Sequence, residues 1–321
     1  MPSVSRALQL DDLNHHDLAD SLEHIVVQSE NELAELDTFL TPLIEKIRNG
    51  LRLNSVGFGY YYELVDSIID EDADNTLAAA KSLSSCPSRA DKLAINYRGS
   101  PEHQLVDRAI NLRISGEENI FGELDQKDAP DFPCLIHEGF ALLNATFPQL
   151  AGEVRALVHE IILAHAQKGA KLEFDGASHY QFWGLLFLNP KHHKDRLAVA
   201  EVLAHEAGHS LLFGLMRNEP LVLNPDADRF KSPLRRDPRP MEGIFHATFV
   251  SARMALAMET LAKNDILSDD ERQSALAAAQ KDRENFQNGD GVIREHGKLT
   301  ATGAAIIESA REWINSTAPV S

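Results

Sequence analysis

Cysteine is nearly absent from this chain. The two present, Cys86 and Cys134 in 321 residues, lie far apart and outside any C-x-x-C spacing, so neither a disulfide framework nor a zinc knuckle is indicated. A reducing, cytoplasmic setting is expected. Long apolar runs are missing too: no segment approaches the roughly 20 residues that span a bilayer. Met1 to Asp20 also lacks the basic stretch and apolar run of a secretion signal. Basic charge is scarce, with 31 Lys and Arg against 49 Asp and Glu and a formal net charge of -18. Such a surface repels phosphate backbones and argues against nucleic acid as a general partner. No internal repeat or low-complexity tract occurs. What remains is long enough to bury a sizeable core in one large domain or two closely packed ones.

Apolar residues at three- and four-residue spacing predict helices over 18–27, 32–51 with an interruption at Pro42, 60–69, 76–83 and 104–114. A connecting loop is expected at 119–133, where Gly122, Pro130 and Pro133 stand among several acids. It separates a helical N-terminal part, 1–125, from a metal-binding catalytic part, 126–321. Beyond it the pattern predicts a helix over 151–167, ended by Lys168-Gly169, and a largely buried strand over 179–188, stopped by Asn189-Pro190. A helix over 196–215 is apolar on almost every side, as expected of a buried one. A proline-rich loop at 224–240 leads to helices over 241–263, 269–286 and 302–314. The fold class is therefore mainly α, an α+β protein with a small sheet. Strand-like segments are too few to build a jelly roll.

The chemistry sits on the buried helix, in Ala204-His205-Glu206-Ala207-Gly208-His209-Ser210. Helical residues four apart lie one above the other, with Cβ atoms roughly 5–6 Å apart, so His205 and His209 can reach one cation. Glu206 projects beside them. Two imidazoles on a helix lined by Val199, Val202, Leu203, Leu211 and Leu212 need partners in a dry setting, and a metal is the economical one. The blander alternative is a pair of core histidines bonded to carbonyls. No His-x-x-Gly-x-x-His extension follows His209, so the spacing of the commonest zinc proteases does not supply a third ligand. His246, a turn and a half into the 241–263 helix, is the best downstream candidate, with Glu242, Glu259 and His296 as further options.

Between the two helices runs Lys231-Ser232-Pro233-Leu234-Arg235-Arg236-Asp237-Pro238-Arg239-Pro240. Its three prolines stiffen the path and push the residues before them towards extended backbone. Arginine forks grip carboxylates through two parallel hydrogen bonds, so a preorganised arginine beside a metal suggests a carboxylate ligand such as a 2-oxo acid or a peptide terminus. The alternative is surface pairing of Arg235, Arg236 and Arg239 with Asp226, Asp228 and Asp237.

Taken together, His205-Glu206-Ala207-Gly208-His209, Pro233-Leu234-Arg235-Arg236-Asp237-Pro238-Arg239-Pro240 and Gly243-Ile244-Phe245-His246 resemble, in order and spacing, a known family. It comprises the H-E-x-x-H peptide-modification enzymes of ribosomal natural-product pathways, described as 2-oxoglutarate-dependent peptide β-hydroxylases. The matching core is 178–259, with weaker similarity in the flanks, including 299–303. The resemblance implies Fe(II) held by His205, His209 and His246, with 2-oxoglutarate as co-substrate gripped by Arg239 or Arg235. Dioxygen would be the oxidant and an amino-acid side chain of a peptide precursor, usually its β carbon, the site of hydroxylation. From the predicted elements the architecture is expected to be mostly helical, with a small sheet including 179–188 beside the metal helix, zincin-like rather than a jelly roll. The chain departs from the family in Leu234, where members often carry tryptophan, and in Ala247, where they often carry glycine. A free or carrier-bound amino acid therefore stands beside a peptide as substrate.

Two other classes fit the same residues. In a zinc metallopeptidase Glu206 would be the general base for a zinc-bound water, with Glu242, His246 or Glu259 as third ligand. In a non-catalytic peptide-binding protein the metal would be structural and need no open position.

Overall fold

The computed structural model describes residues 1–29, 31–100, 104–114, 120–167, 169, 173–234 and 237–316. Among these the chain is mainly helical, with eleven α-helices and six short strands. It forms two compact units, each assembled from separated stretches: Met1–Ser5, Cys134–Val154 and Lys194–Ser321 in the first, Arg6–Pro133 and Arg155–His193 in the second. No described helix is long and apolar enough to cross a membrane.

The second unit takes nearly all of α1 (Val4–Ser29), then α2 (Glu35–Arg48), α3 (Ser55–Ile69), α4 (Ala73–Ser84) and α5 (Gln104–Arg113). Pro42 lies inside α2 without interrupting it, at the cost of one backbone bond. Its sheet holds β1 (Ala94–Tyr97), β3 (Glu160–Leu163), β6 (Leu185–Leu188) and β5 (Gly176–Ser178), in the order β1-β3-β6-β5. The first three run parallel, with Ile95 opposite Ile161 and Ile161 opposite Leu186, while β5 is an antiparallel edge. β3 and β6 are buried at every position, which is why they read as unbroken apolar runs rather than alternating ones. Glu160, buried among them, accepts from Ser55 Oγ at 2.5 Å and Asn96 Nδ2 at 2.7 Å. At the other end of the sheet Trp183 Nε1 donates to Asp11 of α1 at 2.9 Å. β2 (Phe121–Gly122) and β4 (His165–Ala166) form a separate antiparallel pair.

Three expectations are corrected here. The helix over 151–167 stops at Leu157, and 160–163 and 165–166 are strands; Glu160-Ile161-Ile162-Leu163 satisfies helical spacing as well as a buried strand does, and sheet partners decide. The strand over 179–188 shrinks to β6, because 179–184 turn through Gly184 at φ 86. A Cβ there would lie 2.6 Å from the His159 ring, so only glycine fits. The loop expected at 119–133 contains β2 and a short 3-10 turn, Gln126–Asp128, and runs into a helix absent from the sequence reading; Asn119 and Lys168 lie outside the described residues.

The first unit is helical, with most of α6 (Phe132–Thr146) and α7 (Pro148–Leu157), then α8 (Arg196–Leu215), α9 (Met241–Ala262), α10 (Asp269–His296) and α11 (Ala301–Ser316). α8 begins where Asp195 Oδ1 accepts from Leu197 N at 3.0 Å and Ala198 N at 2.9 Å, an N-cap that satisfies two orphan donors. α9 is buried along nearly its whole length and packs on α8, α10 and α11. α10 starts on a capping box of Ser268 and Glu271. Glu271 also accepts two bonds from Arg196, 2.8 and 3.0 Å, which ties the first turn of α10 to the first turn of α8.

Candidate metal centre

α8 follows its expected bounds and places His205 and His209 one turn apart. Their Nε2 atoms are 3.1 Å from each other. The face they share is toward α9, which approaches closely because Gly208 has no side chain: a Cβ there would lie 3.0 Å from Val250 Cγ1 and 3.3 Å from Arg253 Cδ. This approach delivers His246. Its Nδ1 lies 3.2 Å from His209 Nδ1, and the two rings stack at 22°. His246 is 8% exposed, and its Nε2 is buried without a hydrogen-bond partner among the described residues. Glu206, 2% exposed, brings Oε1 to 3.7 Å from His205 Nε2. The ring of Phe213 closes on His246 at 5.6 Å between centroids.

Burial lowers the basicity of His209 well below the ordinary histidine range, and the neighbouring His205 and His246 lower it further. Burial alone takes His246 down to about 4. Both rings are therefore neutral at pH 7, the form in which a histidine binds metal. The donor set suits a borderline cation such as zinc or ferrous iron. Two nitrogens bound to one such ion at ~2.0–2.1 Å lie roughly 3 Å apart, which is the His205–His209 spacing. The third histidine is within reach but turned otherwise. His209 faces His205 with Nε2 and His246 with Nδ1, so the three rings form two pairs, and among the described residues no group of three or more His, Cys, Asp or Glu surrounds a common point.

Arg235 lies outside the described residues. Arg239 is pinned by its backbone, donating to and accepting from Phe230 at 2.9 Å, and its side chain reaches Asp237 Oδ2 at 3.4 Å across an exposed surface. The structure thus groups His205, His209, His246 and Glu206, and sets Arg239 in a surface pair just before α9. Of the further ligand options, Glu242 is exposed, Glu259 is committed to a buried ion pair with Arg283, and the His296 ring stacks on Phe230 at 5.2 Å. No family model matches the chain, and no curated protein is similar to it.

Two further residues belong to the site's surroundings. Met254, two turns beyond His246 on α9, places Sδ 3.2 Å from His205 Nδ1. Arg253, packed under Gly208, forms a buried ion pair with Glu153, whose other oxygen accepts from Ser3 N at 2.7 Å. Neither carries a motif. The eight-residue step from His246 to Met254 follows helical periodicity, but only the α8–α9 packing shows that it ends at His205. In the second unit, a cavity of about 560 Å³ is lined by Arg98, Asp107, Asn111 and His165 among others. Its guanidinium is already engaged by Asp107 and by Asn111 Oδ1.

Proposed function

We propose that the chain is an Fe(II)- and 2-oxoglutarate-dependent hydroxylase of an amino-acid side chain, acting at the β carbon in a peptide precursor, with a free or carrier-bound amino acid as the other substrate form. The observation that carries this reading is that α9 brings His246 beside the His205–His209 pair, its Nδ1 3.2 Å from His209 Nδ1. It joins two of the three segments that resemble the peptide β-hydroxylases. Bound ferrous iron with 2-oxoglutarate would supply the activated oxygen that attack on an unactivated carbon requires. His205, His209 and His246 would hold the ion as neutral ligands, and Phe213 with the buried face of α9 would exclude water. Arg239 would leave its weak pair with Asp237 to grip the co-substrate carboxylate, a small loss for an exposed pair. Glu206 would serve as an additional oxygen ligand or hydrogen-bond partner of a ligand. With this we place the fold among zincin-like architectures. The short mixed sheet with one antiparallel edge strand supports that, since a double-stranded β-helix needs about eight strands.

A zinc metallopeptidase is the second reading, favoured by the burial of Glu206 beside His205, where a general base would stand. The two separate in one experiment. Metal-free protein is loaded anaerobically with ferrous iron, then given 2-oxoglutarate, oxygen and candidate peptides. Succinate is the expected product. His246→Ala is expected to lose bound iron in proportion, measured by metal analysis. Absence of succinate together with peptide cleavage restored by zinc would establish the peptidase instead.

A further inference from the structure

The cavity of about 560 Å³ in the second unit, beside β2 and β4, holds polar groups that the fold leaves unmatched. Arg98, directly after β1, is fixed by its backbone: its N donates to Leu163 O and its O accepts from Leu124 N, both at 2.9 Å. Its side chain, on a residue 5% exposed, gives Nη1 to Asp107 and Nη2 to Asn111 Oδ1, the latter at 2.5 Å. Asp107 is fully engaged too, since its other oxygen accepts from Gly99 N at 2.9 Å. Arg98 Nε is left buried with no hydrogen-bond partner among the described residues, and an unmet buried donor costs about 1–3 kcal/mol.

Glu123 supplies the opposite kind of group. It is exposed, lines the same cavity, and makes no ion pair or side-chain hydrogen bond with another described residue. Its closeness to Arg98 follows from Gly99, which turns the chain at φ 85. A Cβ on Gly99 would lie 2.7 Å from Glu123 Cγ, so the approach needs a glycine there.

Charge balance then selects the guest. Arg98 and Asp107 cancel within their buried pair, and the charge left on the lining is that of Glu123. A phosphate or dicarboxylate would face this carboxylate and find a single N–H to bind. A diamine would need a second free carboxylate, and Asp107 has no oxygen to offer. A free amino acid brings a carboxylate of its own beside Glu123. The amino end of a peptide carries an ammonium and, one carbon away, a neutral carbonyl oxygen, which together answer both unmatched groups.

We propose that this cavity binds the free amino end of a peptide, with the α-ammonium on Glu123 and the adjacent carbonyl oxygen accepting from Arg98 Nε. His165 and Gln167, on the β4 side, add polar lining along the first residues of the guest. The volume falls in the range of roughly 300–1,000 Å³ usual for small-ligand pockets. This site does not rest on the metal reading above.

The test titrates the full 15N-labelled chain with L-alanyl-L-alanine amide at pH 7, up to roughly 20 mM, because a guest this small is expected to bind with a Kd on the order of 1 mM. Saturable shifts are expected at the backbone amides of Gly99, Gly122 and Glu123. The Arg98 Nε–H signal, assigned through Arg98→Lys, should move downfield as it gains an acceptor. Acetylating the probe's amine should weaken binding about threefold to tenfold, and Glu123→Gln, with folding checked by circular dichroism, should do the same. Free L-alanine should bind more weakly than the dipeptide amide. No shift at these amides, equal binding of the acetylated probe, an unchanged affinity in Glu123→Gln, or tighter binding of free alanine would each overturn the proposal.

Discussion

The smallest side chain in the H-E-x-x-H segment sets its spacing. Gly208 occupies the α8 face against α9, where an added Cβ would stand 3.0 Å from Val250 Cγ1 and 3.3 Å from Arg253 Cδ, closer than ordinary contact. In an exposed helix, Gly to Ala gains up to about 1 kcal/mol through propensity. Here the added methyl must displace a β-branched neighbour on a buried helix, an overpacking that typically costs about 1–3 kcal/mol. The second effect wins. Gly208→Ala is expected to lower stability by about 1 kcal/mol in urea titrations and, if the proposed metal is bound, to weaken its binding by moving His246 away from His209. A stabilised variant with unchanged affinity would show that the helices have room to spare. At this scale the sequence is informative unevenly. His205 and His209 were readable because a four-residue step has one meaning on a helix. His246 stood out as the best downstream candidate from its place on the next helix, and the resemblance then added its neighbours Gly243 to Phe245. Met254 was unreadable, because its partner lies 49 residues away and no local period connects them. The arginine block was conspicuous in sequence, yet Arg239 rests on Asp237, a pairing that spacing alone left open.

Elements followed their local signals where those signals had only one reading. α8 carries its start in Asp195, placed just ahead of an apolar run, and its observed bounds are those expected. Its cap has a measurable consequence. Asp195→Ala removes an acceptor for two amide donors and a negative charge from the N-terminus of α8, and should cost about 1 kcal/mol in thermal or urea unfolding. Asp195→Asn keeps the acceptor and should retain most of that stability. Equal losses in the two variants would assign the effect to charge rather than to the cap. Where an apolar run satisfies two periods, the sequence misleads. Residues 160–163 continue the spacing of α7, but they pair with β1 on one side and β6 on the other. β1 is four residues long and α6 begins among the prolines of an expected loop, so neither announces itself before its packing partners are in place.

At the scale of the whole helical unit, the exposed feature is electrostatic. Asp282 of α10 is 5% exposed, and burial, with the nearby Glu201 of α8, pushes its carboxyl up to about 8 against the opposing influence of Asn285 and Lys281. Burial also raises Glu201, and Asp195 adds to that. The linkage runs opposite to that of an ordinary ion-paired carboxylate. Between the unfolded value near 4 and the folded value, the native state keeps a proton that the unfolded chain has lost. Stability therefore falls as pH rises, by about 1.4 kcal/mol per unit for a single such group, and it levels off once the folded group ionises. Asp282→Asn presents an isosteric neutral side chain at every pH and removes this slope. The melting temperature of the native chain should drop between pH 5 and pH 8, while that of Asp282→Asn should stay flatter and lie higher at pH 8. Parallel curves for the two proteins would mean that Asp282 ionises normally in the fold and that the buried carboxyl pair does not set the pH dependence of the unit holding the three histidines.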